Sequence, residues 1–278
     1  MSGSDLRAAV ERLADLASPP EAEARAVAEA LLDALEAGVV RAAEPREGAW
    51  QVNAWVKRGI LLAFRTAVNV DVSVGAVFRF RDRDLLMPQT TSARSDVRIV
   101  PGGTVVRRGA FLGDGVVVMP PAYVNVGAWV GARTMIDSHA LVGSCAQIGS
   151  DVHLSAAAQV GGVLEPVGEL PVIVEDGVFV GGGCGIYEGT RVRSRAVLAA
   201  GVILARSIPL YDLVRKTVYR GGPGRPLEVP DGAVVVPGSR PAPGEYAAEQ
   251  GLQIQAPVVV KYRDASTDAV SALEEALR

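Results

Sequence analysis

Eleven aliphatic residues recur at a constant spacing of six: Val100, Val106, Leu112, Val118, Val124, Val130, Ile136, Val142, Ile148, Leu154 and Val160. A helix repeats every ~3.6 residues and a strand every ~2, so neither explains the run, and the chain must build a repeat architecture with its own period. Two positions earlier sits a mostly small residue, among them Thr104, Ala110, Ala122, Ala128, Thr134, Ala140, Ala146 and Ala158. Glycine often follows the aliphatic directly, as in Leu112-Gly113, Val130-Gly131, Val142-Gly143, Ile148-Gly149 and Val160-Gly161. A six-residue unit with one large inward aliphatic makes a short strand and a corner. Three units close a triangular coil, and coils stack at about 4.8 Å. The expected fold is mainly β, a parallel β-helix of hexapeptide repeats, with glycine supplying the positive φ that its corners need.

The rhythm stops after Val160 and resumes at Val174, Val180, Ile186, Val192, Leu198 and Leu204. The fourteen-residue gap reads as two hexads plus two residues and contains Gly161-Gly162-Val163-Leu164-Glu165-Pro166. A loop pushed out of the prism fits it, and repeat proteins place function on such interruptions. Composition agrees, because a chain 49% hydrophobic but only 5% aromatic suits an interior too narrow for large rings. That aliphatic content also excludes disorder, despite 31 glycines and 17 prolines. A net charge of −3 gives no general attraction to nucleic acid or to anionic membrane. Residues 1–17 are charged and amphipathic, unlike a signal peptide. The longest apolar run, Ala196 to Ala205, is ten residues and too short to span a bilayer. The expected location is the cytoplasm, with Cys145 and Cys184 reduced and buried.

Residues 1–95 read as an N-terminal helical and mixed domain. Its helices fall within residues 5–37, broken at Pro19-Pro20, and over Val52 to Thr66, where Trp55, Ile60, Leu61 and Phe64 are apolar and Lys57 and Arg58 are expected at the surface. Residues 76–97 look strand-like. Residues 96–240 form the prism, with a second excursion from Arg206 to Pro230. Residues 241–278 form a small cap of strands, ending at Val258-Val259-Val260-Lys261, and a helix over Ser266 to Arg278. Caps are expected because the end coils of a solenoid expose unpaired strand edges.

Several stretches resemble the tetrahydrodipicolinate N-succinyltransferase family. They are Gly48-Ala49-Trp50-Gln51-Val52-Asn53-Ala54-Trp55-Val56-Lys57-Arg58, Arg98-Ile99-Val100-Pro101, Val118-Met119-Pro120, and Tyr123-Val124-Asn125-Val126-Gly127-Ala128. The most specific runs from Thr134-Met135-Ile136-Asp137 through Val142-Gly143-Ser144-Cys145-Ala146-Gln147-Ile148-Gly149, and Val152-His153-Leu154-Ser155 and Gly161 to Pro166 follow it. The resemblance covers residues 45 to 278. It implies a left-handed parallel β-helix acting as a homotrimer, with sites in the clefts between prisms. It also implies transfer of succinyl from succinyl-CoA to tetrahydrodipicolinate, giving N-succinyl-2-amino-6-oxopimelate on the way to diaminopimelate and lysine. Coenzyme A would enter as a co-substrate, without a metal. The alternative within enzymes is acetyl transfer from acetyl-CoA to the same or a related amino-dicarboxylate. A long N-terminal helical domain argues against the shorter acetyl-transferring relatives.

Direct attack of an amine on a thioester needs no protein nucleophile, but it needs a base and cations for the substrate's carboxylates. On spacing alone Asp137 reads first as a corner aspartate bonding its own backbone. The resemblance makes it the acidic residue that contacts substrate and makes Arg98 the carboxylate-binding arginine. The family's arginine and first glutamate further on fall here on Gly183 and Gly185, and Glu188 matches only a second glutamate. Acid–base duty therefore rests on Asp137 or Glu188, or the strand is built differently, and Glu188 reads equally as an exposed corner residue. Ala199, Ala200 and Gly201 lack bulk, so a pantetheine arm can lie against their backbone. Arg215 and Lys216 are candidates for the coenzyme's phosphates and read equally as solvated loop charges. His139 and His153 lie fourteen apart where face neighbours lie eighteen apart, which speaks against a metal site. A non-enzymatic ice-binding prism would show regular outward rows, whereas Arg107, Gly113, Met119, Asn125, Gly131 and Asp137 are irregular.

Overall fold

The computed structural model describes residues 3–89 and 96–264. Each hexad forms a two-residue strand whose second residue is the buried aliphatic. Strands three hexads apart pair in parallel: Trp129 faces Gln147, Met135 faces His153 and Leu141 faces Gln159, a constant step of eighteen residues. The result is a parallel β-helix with three faces. The first face is a ten-stranded sheet that begins at Arg98–Ile99, includes Met135–Ile136 and Val197–Leu198, and ends in the hairpin Leu210–Asp212 with Thr217–Tyr219. The second face has six strands from Val105–Val106 to Ile203–Leu204, and the third has six from Phe111–Leu112 to Glu228–Val229. We number the edges in chain order: the first joins the first and second faces, the second joins the second and third, and the third returns to the first. Small residues such as Ala110, Ala128, Ala140 and Ala146 are buried at the corners.

Two expectations about the repeat need correction. The glycine directly after the aliphatic does not supply the positive φ, which falls two residues later, at His139, Cys145, Asp151 and Gly177. Its role is steric. A Cβ at Gly131 would lie 2.4 Å from the carbonyl carbon of Gly149, and one at Gly143 would lie 2.2 Å from the nitrogen of Gly162, on the next coil. The gap after Val160 is also not two hexads plus two. Val160 lies on the second face and Val174 on the third, paired with Ile148, so a step that needs six residues takes fourteen and eight are extra. No hidden strand lies in the excursion.

Three helices, α1 (Gly3–Ala14), α2 (Glu21–Glu36) and α3 (Ala54–Thr66), pack through Val10, Leu13, Leu31, Leu32 and Ile60, and their core includes Val126 and Cys145 of the second edge. Gly59 permits the close approach of α3 to α2, since a Cβ there would meet Leu31 Cδ2 at 2.2 Å. Lys57 is not at the surface as expected: it is fully buried, and its Nζ donates to the Glu169 carbonyl at 2.6 Å. The excursion folds back over α3 and seals it. Burial lowers the Lys57 pKa, opposed by Cys145 and Glu169, while burial pushes the Cys145 thiol up to about 12.

The hairpin Ala43–Arg46 with Ala49–Val52 lays Trp50 against the third face. Trp50 Nε1 donates to Glu175 at 3.1 Å, Arg191 pairs with the same carboxylate at 2.6 Å, and Ser194 donates to it through both its amide and its hydroxyl. Burial alone would raise the Glu175 pKa, but these bonds outweigh it and hold the group below the usual range. At the far end, Val258–Tyr262 pairs antiparallel with Ala233–Val236 and closes the last coil. The helix expected over Ser266 to Arg278 lies outside the described residues, among which no helix is long and apolar enough to cross a membrane.

Two stability measurements check this account. Gly177 has φ +66° and ordinary space around a Cβ, so Gly177→Ala costs the left-handed strain of about 1–2 kcal/mol. Gly131→Ala must separate two coils, and its loss in urea unfolding is expected to be the larger. The second concerns Glu175, whose lowered pKa contributes stability that is present above its unfolded value of about 4.3 and is lost as pH falls through the folded value. Glu175→Gln is therefore less stable than the parent at pH 7, and the difference shrinks below about pH 4 as the parent loses the same charge.

Candidate active site

The first edge carries Asp137 and the Ala199–Gly201 stretch on one line of stacked corners. Asp137 follows the strand Met135–Ile136 and its backbone N–H donates to Leu154 at 2.8 Å. Its Oδ1 accepts the Ser138 amide at 2.7 Å, so the corner reading of the side chain is realised, and among the described residues its second oxygen accepts no hydrogen bond. Above it the edge is bare: Ser155-Ala156-Ala157, Gly181-Gly182-Gly183, then Ala199-Ala200-Gly201. The amides of Ala157, Gly183 and Gly201 bond to carbonyls of the coil below. Among the described residues the amides of Ala156, Gly182 and Ala200 have no acceptor. They form a row of donors spaced by about one coil, ~4.8 Å, along a surface without bulk. Such a row suits an extended ligand with amide carbonyls. Ala199 itself is not a donor to a ligand, because its amide is bonded to Val235. Arg98 lies on the first face, two coils before Met135 in the same ladder through Val117.

Glu188 is on a different edge. It follows Tyr187 at the second edge, exposed and with φ +51°. There it lines a cleft of about 370 Å³ with Gly161, Gly162, Tyr187, Glu165 and Arg206, roofed by the excursion. Arg206 pairs with Glu169 at 3.1 Å, and the Glu169 carbonyl takes the buried Lys57, so the roof is tied from both sides. One chain therefore does not bring Asp137 and Glu188 together.

The bare Gly183 and Gly185 have different causes. A Cβ at Gly183 would meet nothing within 4 Å, whereas one at Gly185 would meet the Tyr187 ring and hydroxyl at 2.5–2.9 Å. Tyr187 curls back over Gly185, and a Cβ at Gly161 would also meet its ring at 2.9 Å. The phenol thus fills a slot that two glycines leave open. Sequence reasoning passed over Tyr187, Lys57, Glu169 and Arg206. For Tyr187 the available signal was the pair of glycines at outward strand-flanking positions.

Arg215 and Lys216 stand away from the bare edge. Their hairpin is the far end of the first face, beyond the strands Ala233–Val236 and Val258–Tyr262, and the Arg215 guanidinium lies 4.1 Å over the Tyr262 ring. His139 is exposed on the first edge, while His153 packs edge-on against Phe179 at 5.1 Å. Among the described residues no group of three His, Cys, Asp or Glu could hold a metal ion. Cys184 is buried and its thiol donates to the Ala199 carbonyl at 3.1 Å.

Comparison with known proteins decides the family. Residues 4–66 match the family described as tetrahydrodipicolinate N-succinyltransferase N-terminal, and residues 171–206 match the hexapeptide repeat of succinyl-transferase. A 2,3,4,5-tetrahydropyridine-2,6-dicarboxylate N-succinyltransferase of Aromatoleum aromaticum is 43% identical over 278 aligned positions, covering 97% of this chain and 96% of that protein. One from Polynucleobacter asymbioticus is 42% identical over 263, covering 92% and 90%. The chain belongs to the tetrahydrodipicolinate N-succinyltransferase family. As a member it is a transferase, and the hexapeptide prism and N-terminal helices are the family's parts. Within this N-succinyltransferase the Tyr187–Gly185 contact can be tested alone. Gly185→Ala is expected to lower stability by about 1–3 kcal/mol through overpacking, and Tyr187→Ala in the same chain is expected to remove most of that penalty. Thermal unfolding of the two single variants and the double variant measures the coupling.

Proposed function

We propose that the protein transfers succinyl from succinyl-CoA to the amino group of ring-opened tetrahydrodipicolinate, releasing coenzyme A and N-succinyl-2-amino-6-oxopimelate. The observation that carries this reading is the first edge, where a fixed acidic residue stands at the foot of three bare corners with free amides. The pantetheine arm lies along Ala156, Gly182 and Ala200 and brings the thioester carbonyl towards Asp137. The amine attacks that carbonyl, the C–N bond forms, and the C–S bond breaks. Asp137 takes the amine proton and the departing thiolate is protonated. General-base assistance of this kind contributes about 10²–10⁴ in rate. Arg98, on the same face, binds a substrate carboxylate.

The working form is a homotrimer of left-handed prisms in the cytoplasm, without a metal. Its clefts set the first edge of one chain against the second edge of the next. That arrangement supplies Glu188, Tyr187 and the excursion to a site whose Asp137 comes from a neighbour. Glu188 is then the second acid–base candidate. Arg215 and Lys216, exposed on the hairpin at the far end of the first face, are the proposed contacts for the coenzyme's phosphates if its nucleotide end extends past the bare edge.

Thiol release with tetrahydrodipicolinate tests the reading. Turnover is expected with succinyl-CoA and to fall about 10²-fold or more in Asp137→Ala. Faster turnover with acetyl-CoA moves the protein to acetyl transfer, and no turnover with either donor removes the proposal.

A further inference from the structure

A further cleft lies away from the first and second edges. It has a volume of about 640 Å³ and lies on the third edge, between the N-terminal hairpin and the prism. That is within the ~300–1,000 Å³ range of small-molecule sites. Its floor is bare backbone at Gly113, Gly131 and Gly149, and one wall is aromatic. Trp129 stacks on Phe111 with ring centres 4.0 Å apart, and Trp50 is fixed by its bond to Glu175.

Arg41 stands in this cleft. Its guanidinium carbon lies 4.0 Å from the Trp129 ring centre and 5.5 Å from that of Trp50. Its Nε donates to Gln147 Oε1 at 3.0 Å. Gln147 is buried and spends its own amide protons on the carbonyls of Cys145 and Ala146, so its oxygen is held towards Arg41. The terminal nitrogens of Arg41 have no protein acceptor among the described residues, and no carboxylate pairs with it there. The nearby acids are engaged elsewhere: Glu44 with Arg46 and Asn53, Glu175 with Trp50, Arg191 and Ser194, and Asp176 with the Ser150 amide. Burial pulls the Arg41 pKa down to about 10, against the weaker opposing pull of Glu44 and Asp176.

A planar guanidinium held in place, with its outer donors unspent, is suited to a carboxylate. Asp114 and Asp176 line the same cleft, where the remaining charges, Glu175 and Arg191, pair with one another. These two aspartates disfavour a second carboxylate and favour a ligand carrying a cation at its other end.

We propose that the third-edge cleft binds a small amino acid with an apolar chain, its carboxylate on Arg41, its chain against Trp50 and its ammonium group towards Asp114 and Asp176. The site is separate from the edges assigned to acyl transfer and stands whether or not that assignment does.

Calorimetric titration of the full chain with 6-aminohexanoate, hexanoate and hexylammonium tests it. The expected order is 6-aminohexanoate tighter than hexanoate, with hexylammonium not bound. Arg41→Gln is expected to weaken 6-aminohexanoate at least tenfold. Because Arg41 also anchors the hairpin, Ser150→Tyr provides a second variant, which obstructs the cleft and leaves Arg41 and its ring contacts in place. It too is expected to weaken binding at least tenfold. No heat at ligand concentrations on the order of 10 mM, or equal affinity in the parent and Ser150→Tyr, overturns the proposal.

Discussion

Each coil meets the next through only two paired residues per face, so the prism depends on inward side chains standing directly over one another: Val118, Ile136, Leu154, Val180 and Leu198 form one such column. A one-residue slip would turn that column outwards. Strict register then decides what the corners can hold. At Gly131 and Gly143 a Cβ would strike the backbone of the next coil, and the positive φ of the corner falls two residues after the position that follows the aliphatic. Functional groups are left with the edges, the outward strand positions and the interruptions.

The same register explains how the groups proposed for acyl transfer are distributed. Asp137 and the free amides of Ala156, Gly182 and Ala200 share an edge because they occupy equivalent places in successive coils. Glu188 falls one face later, on the second edge, beside the only eight extra residues between Val160 and Val174. Those residues are fixed in place by α3, whose buried Lys57 grips the Glu169 carbonyl. The N-terminal domain thus shapes the second edge through the excursion and the third edge through the hairpin that carries Trp50.

Much of the fold was legible because a period of six is written in side-chain size alone. Both early helices, the excursion and the buried cysteines followed from apolar spacing and from prolines. The glycine roles were misread, since sequence does not distinguish a glycine needed for φ from one needed for clearance. Lys57 was misread because helical spacing assigns a lysine to water, and nothing local announces that a loop over a hundred residues away will cover it. At the site, the resemblance singled out Asp137, and register explains its place below the bare corners. The Tyr187 phenol over Gly185 was not legible, because the contact depends on a rotamer curling back along its own strand.

The central claim is that the acyl-transfer site is divided between the first edge of one chain and the second edge of another. Subunit mixing tests it most directly, using Asp137→Ala and Glu188→Arg, the latter placing bulk and the opposite charge in the second-edge cleft. Each variant alone is expected to be inactive. Co-assembled from an equal mixture, they are expected to recover about a quarter of parental turnover, the share of clefts that receive an intact group from both neighbours in a random trimer. Full activity in Glu188→Arg alone, or no recovery in verified mixed trimers, would contradict the account.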